Sequence, residues 1–278
     1  MERDFTFRFY EISREKASIP AMVDMFRQIN QIQDKTDREK LLSRDYTVRL
    51  ENFEDDGADA VIGELVRCQG TNLPAEISKA GRKALSAQRL GHSVVFRLNH
   101  KTGAFGIQHD RRIVSPGRVL DYLASFNPAA IYSMLPVINK EAWEKFVKGE
   151  TRKLVLRIAY PQNMTDLSGK AATLSSGLKA MGDAFDAPSI TVELSMGHHN
   201  GSLSEAVTGL AKQLINMTGG RLDKLKAVTY VNEEREEFDL IQDRLVVKEE
   251  LEIHERDPEI NWNVKKDFLS KEMKKLLG

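Results

Sequence analysis

The residues most able to do chemistry are basic side chains in the middle of this 278-residue chain. Residues 76–118 contain nine lysines and arginines but only two acidic residues, Glu76 and Asp110. Such a segment can capture phosphates, because each neutralised phosphate releases counterions whatever the base sequence. We therefore expect these cations to gather on one exposed surface that binds nucleic acid. The predicted phosphate contacts in this segment are Arg82, Lys83, Arg89, Lys101, Arg111, Arg112 and Arg118.

Lysines late in the sequence add a second predicted contact. Apolar residues in the segment 265–277 follow a helical spacing and form a narrow face beside many lysines. On such a helix the lysines outside the apolar face can meet phosphate. The predicted contacts here are Lys271, Lys274 and Lys275.

The basic segment has an acidic counterpart. Residues 233–257 contain eleven acidic residues against four basic ones, and the whole chain balances 41 basic with 41 acidic residues. The acidic segment could confine nucleic acid to one face, meet a basic face of a second subunit, or dock a basic partner protein. Both charge runs could equally be solvated surfaces, since the pI near 7.0 lacks the basic signature of many nucleic-acid-binding domains.

The string Gly197-His198-His199-Asn200-Gly201-Ser202 is the most distinctive local motif. Histidines can ligate metals, and a helix that starts at Ser202 would offer free N–H groups to an anion. Adjacent histidines at a strand end point in opposite directions, however, and no carboxylate or cysteine completes a metal set by spacing. An ordinary polar turn is the favoured interpretation. The alternative is a metal-dependent nuclease or a nucleotide-acting effector that uses this loop.

Other features give no positive evidence for catalysis. The sequence lacks the common phosphate-loop, dinucleotide-binding, zinc-protease and serine-hydrolase signatures. The triplet Glu272-Met273-Lys274 resembles a fragment of a nuclease signature, but such triplets arise by chance on a lysine-rich helix. The single cysteine, Cys68, has no activating residue beside it and is interpreted as a packed thiol. We predict no catalytic residue, no bound metal and no cofactor.

Two further patterns bear on where the chain works. No apolar run approaches the roughly 20 residues that span a bilayer. The first residues lack the basic and then apolar pattern of a signal peptide. We therefore expect a cytoplasmic protein.

The elements that position these residues follow from hydrophobic spacing. Ser18 with Pro20, and Ser115 with Pro116, each precede a helical stripe of apolar residues. The loop Asn99–Gly103 predicts a hairpin between two alternating segments. Alternation of apolar and polar residues predicts strands near residues 5–10, 46–50, 61–68, 94–98 and 104–108.

From about residue 150 the pattern changes to strand, helix, strand, helix and strand. This rhythm predicts an α+β fold in two domains, with mixed or antiparallel sheets and helices packed on one face. The boundary is expected near Lys148-Gly149-Glu150. The predicted domains are residues 1–149, with the basic segment, and residues 150–278, with the lysine-rich terminal helix.

This order of elements resembles a known family. It comprises the aromatic first strand Phe5–Tyr10, the hairpin Val94–Ile107, the helix start Ser115-Pro116-Gly117-Arg118, the alternating half from Leu154, and the lysine-rich segment Lys271–Lys275. Together these elements are similar to the RexA-like phage-exclusion proteins of lambdoid prophages. A lesser similarity is to the DNA-binding subunit of Kiwa-type defence systems.

The resemblance carries implications of its own. It implies a homodimer with a globular domain and a dimerisation domain that binds double-stranded DNA without sequence preference. It also implies a role in excluding superinfecting phage, together with a membrane-protein partner encoded nearby. The predicted function is therefore a non-catalytic DNA-binding protein of phage defence. A non-catalytic protein-interaction module is a further alternative.

Overall fold

The computed structural model describes residues 1–14, 16–110, 112–215, 221–231, 234–240 and 245–277, with only the backbone at 78 and 221. The fold is α+β, as predicted. The strands are β1 (Glu2–Arg14), β2 (Lys40–Ser43), β3 (Tyr46–Asp55), β4 (Ala60–Gln69), β5 (Glu76–Ser78), β6 (Gly81–Lys83), β7 (Leu90–Asn99), β8 (Ala104–Gln108), β9 (Tyr132–Pro136), β10 (Glu150–Ala159), β11 (Ser189–Ser195), β12 (Arg221–Val231), β13 (Glu234–Asp239) and β14 (Val246–Glu252). The helices are α1 (Met22–Gln31), α2 (Pro116–Ala124), α3 (Lys140–Lys148), α4 (Ala172–Phe185), α5 (Ala206–Ile215) and α6 (Pro258–Leu277).

The chain divides into two compact units, but not at the predicted boundary. The first unit joins Met1–Met134 with Val246–Gly278, and the second unit is Leu135–Leu245. The second unit is thus an insertion in the first. The terminal helix, predicted to belong with residues 150–278, packs in the first unit, because β14 pairs with β1 and brings the following helix onto that sheet.

The first unit is built on an antiparallel sheet in the order β14-β1-β8-β7-β4-β3-β2, with β9 also paired to β1. The predicted hairpins are confirmed: Leu65 of β4 lies opposite Leu50 of β3, and Phe96 of β7 lies opposite Ile107 of β8. Alternation in β7 explains why the sheet is covered on both sides. Val94, Phe96 and Leu98 point to one face, and the residues between them point to the other.

One face of this sheet packs against α1 and α2. The rings of Phe96 and Phe26 stack with centroids 4.5 Å apart, and Phe105 lies 5.7 Å from Phe96. Gly63, directly opposite Phe96, has no room for a side chain, since a Cβ there would lie 2.5 Å from the Phe96 ring. Tyr122 of α2 is fully buried and its hydroxyl donates to the Arg38 carbonyl at 2.8 Å.

The other face packs against α6. Helices therefore lie on both faces of this sheet, which corrects the one-face prediction for the first unit. Close approach depends on Gly106, where a Cβ would lie 2.5 Å from the Met273 sulfur. The rings of Phe7 and Phe268 lie 5.0 Å apart. The face is apolar at its centre because Leu269 and Met273 are buried there.

A buried ion pair is set into the same helix–sheet contact. The Lys265 ammonium lies 3.9 Å from a Glu64 carboxylate oxygen and donates to the Ser93 hydroxyl at 3.0 Å. Asn52 donates to the second Glu64 oxygen at 2.9 Å. Burial raises the pKa of Glu64 and lowers the pKa of Lys265, because both charges are removed from water.

The second unit is an antiparallel sheet in the order β11-β10-β12-β13, with helices α3, α4 and α5. The predicted rhythm of strand, helix, strand, helix and strand from residue 150 is confirmed. Leu154, Leu156 and Ile158 of β10 form the centre of its core with side chains from the helices. The helix predicted to start at Ser202 begins instead at Ala206, because Leu203 donates to the Thr151 carbonyl at 2.7 Å and holds this segment extended.

Within the ranges given above, no helix combines the length and the apolarity that crossing a bilayer requires.

Candidate nucleic-acid interface

The predicted cations of the first unit lie at two opposite ends of its sheet. Strand β7 begins where β4 ends, since Leu90 pairs with Gln69, and it finishes beside Ala60, the partner of Asn99. A ten-residue strand is about 30 Å long, so residues before and after β7 are well separated. The prediction that all these cations share one surface is therefore wrong.

We call the first of these regions the arginine end. It comprises residues 43–46 around the β2–β3 turn, Arg67 near the end of β4, the excursion 70–89 between β4 and β7, and residues 109–110 and 112–118, which follow β8 and enter α2. Three contacts join these parts: Thr71 Oγ1 lies 3.3 Å from a carboxylate oxygen of Asp45, Arg67 donates to the Arg112 carbonyl at 2.6 Å, and Arg118 donates to the Ser43 hydroxyl at 3.4 Å. The arginine end is thus one connected surface of the first unit.

Tyr46 organises two of its arginines. The Arg67 and Arg118 guanidinium carbons lie 4.8 and 4.9 Å from the centre of the Tyr46 ring. Such cation–π contacts orient a guanidinium, whose exposed N–H groups can still bind an anion; the Nε of Arg67 is buried and is not one of them. The Tyr46 hydroxyl donates to the Ile113 carbonyl. Burial raises the pKa of Tyr46, so the hydroxyl keeps the proton that it donates.

Arg112 is the most exposed arginine of this group. Its side chain is 88% exposed and makes a two-point contact with Asp110, at 3.0 and 3.2 Å. The hydrogen bonds from Arg112 lower the pKa of Asp110. Arg118 pairs with Asp121 at 3.3 Å across one helical turn. Exposed pairs of this kind contribute little to stability, so both arginines can exchange partners for a phosphate.

Arg89 is held differently. Both of its terminal nitrogens donate to Glu39, at 3.1 and 2.8 Å, and Arg49 donates to the same carboxylate at 3.2 Å. The Glu39 side chain is only 14% exposed. This contact fixes the second stem of the excursion 70–89 to the sheet, so we assign Arg89 a structural role.

The excursion itself carries the remaining predicted contacts. Residues 76–83 form the hairpin of β5 and β6. Lys83 pairs with Glu76 at 3.0 Å. Arg82 is exposed, and no carboxylate among the described residues lies within ion-pair distance of it.

We call the opposite region the lysine end. It comprises the β3–β4 turn at residues 56–59, the β7–β8 turn at residues 100–103, and the last turns of α6. Lys101 lies 3.7 Å from Asp59, and Lys274 lies 3.1 Å from Asp56. Asp56 also accepts from Arg97 at 2.5 Å, and the Arg97 side chain is 5% exposed. Lys271 and Lys275 are exposed on the same turns of α6, and Lys275 lies 3.7 Å from Glu272.

The predicted contacts therefore divide by location. Arg111 lies outside the described residues. At the lysine end, Lys101, Lys274 and Lys275 each pair with a carboxylate, and no aromatic ring lies beneath them in the described contacts. The predicted contacts at the arginine end are Arg82, Lys83, Arg89, Arg112 and Arg118, and those at the lysine end are Lys101, Lys271, Lys274 and Lys275.

Sequence reasoning missed three members of the arginine end. Arg67 and Tyr46 lie outside the basic segment 76–118, and Arg44 is followed by an acidic residue that hides it in a charge count. The available signal was the hairpin pairing of β3 and β4, which places the start of one strand beside the end of the other. Arg44 is exposed at the connecting β2–β3 turn.

The alternative sites are less organised. Among the residues that the structure describes, no group of three or more histidine, cysteine or acidic side chains could hold a metal ion. His198 and His199 are exposed in a turn after β11. Cys68 is buried, and burial raises its pKa.

The acidic segment 233–257 is divided between the two units. Strand β13 belongs to the second unit, where Glu237 and Asp239 lie 3.4 and 3.6 Å from Lys226. Strand β14 belongs to the first unit and forms an edge of its sheet. Residues 233 and 241–244 lie outside the described ranges.

Comparison with known proteins adds no identification. The chain matches no protein-family model and shows no significant match to a curated protein.

Proposed function

We propose that the first unit binds double-stranded DNA through the arginine end, without sequence preference and without catalysis. The observation that carries the proposal is the pair of guanidiniums of Arg67 and Arg118 over Tyr46, beside the highly exposed Arg112. Arginine is suited to phosphate because its planar fork donates two parallel hydrogen bonds. Phosphate contacts position a protein on DNA and carry no base information.

The resemblance to RexA-like proteins extends this proposal. A cytoplasmic location is proposed from the sequence patterns above; from the resemblance come a homodimer, a membrane-protein partner encoded nearby and a role in excluding superinfecting phage. These parts rest on the order of elements along the chain, whereas DNA binding also rests on the arginine end. A salt titration therefore tests the DNA-binding part by itself.

The experiment measures fluorescence anisotropy of labelled duplexes of unrelated sequence with the full chain at increasing salt. We expect affinity to fall steeply between about 50 and 200 mM salt and to differ little between duplexes. Neutralising Arg44, Arg112 and Arg118 together with glutamine should reduce the slope of log affinity against log salt by about 3. All three are surface side chains, so unfolding curves should change little.

The matched control neutralises Lys101, Lys271 and Lys275 at the lysine end. This variant removes the same formal charge and should leave the slope within about 1 of the unmodified chain. Equal loss of slope in both variants would locate binding in general charge rather than in the arginine end. Affinity that does not respond to salt would exclude the proposed function.

A further inference from the structure

We propose that the β5–β6 hairpin, residues 76–83, enters the major groove of duplex DNA, with Ile77 and Arg82 facing the base edges. The inference rests on the proposed function and specifies its substrate as duplex rather than single-stranded DNA. It concerns a part of the arginine end that phosphate capture alone does not explain.

The hairpin projects from the fold with little packing around it. Its two strands pair only with each other among the described residues. Ile77 is 73% exposed, which makes it one of the most exposed large apolar side chains of the chain. An isolated two-stranded hairpin is marginally stable in water, and exposure of its isoleucine adds no stability. These features indicate a surface shaped for a partner.

The two faces of the hairpin differ in charge. Glu76 lies directly opposite Lys83, and their side chains pair at 3.0 Å, so that face is neutral. Ile77 lies directly opposite Arg82 and therefore shares the other face with it. No carboxylate among the described residues neutralises Arg82. The face of Ile77 and Arg82 thus combines an apolar group with an available cation.

This pairing of groups suits the major groove. The groove is about 12 Å wide and admits a two-stranded β-ribbon, whereas the minor groove is about half as wide. Base edges there offer thymine methyl groups to an apolar side chain and guanine acceptors to an arginine. One apolar side chain and one arginine can discriminate only weakly among sequences, which is consistent with binding to any duplex.

Both ends of the excursion 70–89 are fixed to the fold, and the β5–β6 hairpin lies between them. Gln69 donates to the carbonyls of Thr71 and Asn72, both at 3.0 Å, at the first stem. Arg89 holds the second stem to Glu39. With Arg112 and Arg118 on adjacent parts of the same end, the phosphates on either side of a groove can be contacted while the hairpin lies inside it.

The experiment measures the affinity of the full chain for one short duplex in three forms. The duplex is unmodified, carries glucosylated 5-hydroxymethylcytosine that fills the major groove, or is saturated with netropsin in the minor groove. We expect the filled major groove to weaken binding about tenfold, and netropsin to change it by less than about twofold. The Ile77→Ser variant should bind the unmodified duplex more weakly and lose most of its sensitivity to glucosylation. Ile131→Ser is the matched control, since Ile131 is 51% exposed elsewhere on the first unit.

The outcomes separate this inference from the proposed function. Binding that stays steeply salt-dependent but ignores major-groove filling would overturn the hairpin inference and leave phosphate capture standing. Equal affinity of Ile77→Ser and the unmodified chain for every duplex form would also overturn it. Loss of all salt-dependent binding would overturn both. Unfolding curves of both variants should match the unmodified chain, because both side chains are exposed.

Discussion

The arginine end and the lysine end both carry several cations, yet they use them in different ways. At the lysine end, Arg97 and Lys274 converge on Asp56, which is supplied by the acidic β3–β4 turn. At the arginine end, Arg67 is oriented by the Tyr46 ring and the Arg112 carbonyl, and Arg118 is oriented by the same ring and by an exposed pair with Asp121. The nature of the group beside a cation, more than the number of cations, therefore determines whether that cation can still bind an anionic ligand.

The largest expected effect is loss of stability at the lysine end. Asp56→Ala leaves the nearly buried Arg97 guanidinium without its carboxylate, and it removes the acceptor of Ser270 and Lys274. Breaking a buried charge pair in this way typically costs about 3–5 kcal/mol. Urea denaturation should show the free energy of unfolding falling by about 3 kcal/mol.

Asp59→Ala provides the control for that substitution. Its partner Lys101 is 72% exposed, so the unfolding free energy should change by less than about 1 kcal/mol. Similar effects from the two substitutions would mean that Asp56 does not hold the end together.

The pH dependence of stability should show the contribution of the Asp56 charge. Burial acts to raise the pKa of Asp56, but hydrogen bonds from Ser270, Arg97 and Lys274 outweigh it and lower the pKa from 3.8 to about 2. The pKa of Asp56 is lower in the folded chain than in the unfolded chain. The ionised carboxylate therefore stabilises the fold above about pH 4, and this stabilisation is lost as the pH falls toward 2. Its size is on the order of 2 kcal/mol.

The measurement compares urea unfolding of the unmodified chain and Asp56→Asn across this range. The difference between them should shrink as the pH falls from about 5 to about 2.5. A difference that stays constant would show that the charge on Asp56 contributes nothing to stability.

A third prediction separates two arginines within the arginine end. Arg82→Gln should weaken duplex binding severalfold and reduce the salt slope by about 1, because its charge is not matched by a described carboxylate. Arg89→Gln should leave the slope nearly unchanged and lower stability by about 1–2 kcal/mol, since Glu39 loses a two-point partner. The reverse pattern would contradict the assignment of a structural role to Arg89.

The smallest expected effect concerns Tyr46. Tyr46→Phe removes the hydrogen bond to Ile113 but keeps the ring beneath both guanidiniums. Stability should fall by about 1 kcal/mol and duplex affinity should stay within about twofold. Thermal unfolding and anisotropy measure the two quantities. Tyr46→Leu, which loses the ring, should reduce duplex affinity further. Equal affinity for the two variants would show that the Tyr46 ring does not contribute to DNA binding.

Strand alternation predicted much of the first sheet. The hairpins β3–β4 and β7–β8 and the helix that starts at Pro116 follow from local spacing and turn residues. The placement of α6 did not follow, because its apolar face is narrow and its lysines suggested solvent. Only β14 pairing with β1, across most of the chain, brings that helix to the second face of the sheet.

The candidate site was predicted in composition but not in location. A count of charges along the chain places Arg112 and Lys101 in one basic segment, although the length of a strand separates them in the fold. The same count left out Arg67 and Tyr46, which the β3–β4 pairing brings to the arginine end. The register between two paired strands determines which side chains lie beside each other. Short segments of a single sequence do not specify that register.

The inserted position of the second unit has a consequence for folding during synthesis. All of its residues leave the ribosome before β14 and α6 do. Until β14 and α6 emerge, the first sheet lacks its edge partner for β1, and the apolar surface around Gly106 stays uncovered. Nascent chains of this protein are therefore expected to complete the inserted unit first and to need shielding of that surface until α6 has emerged.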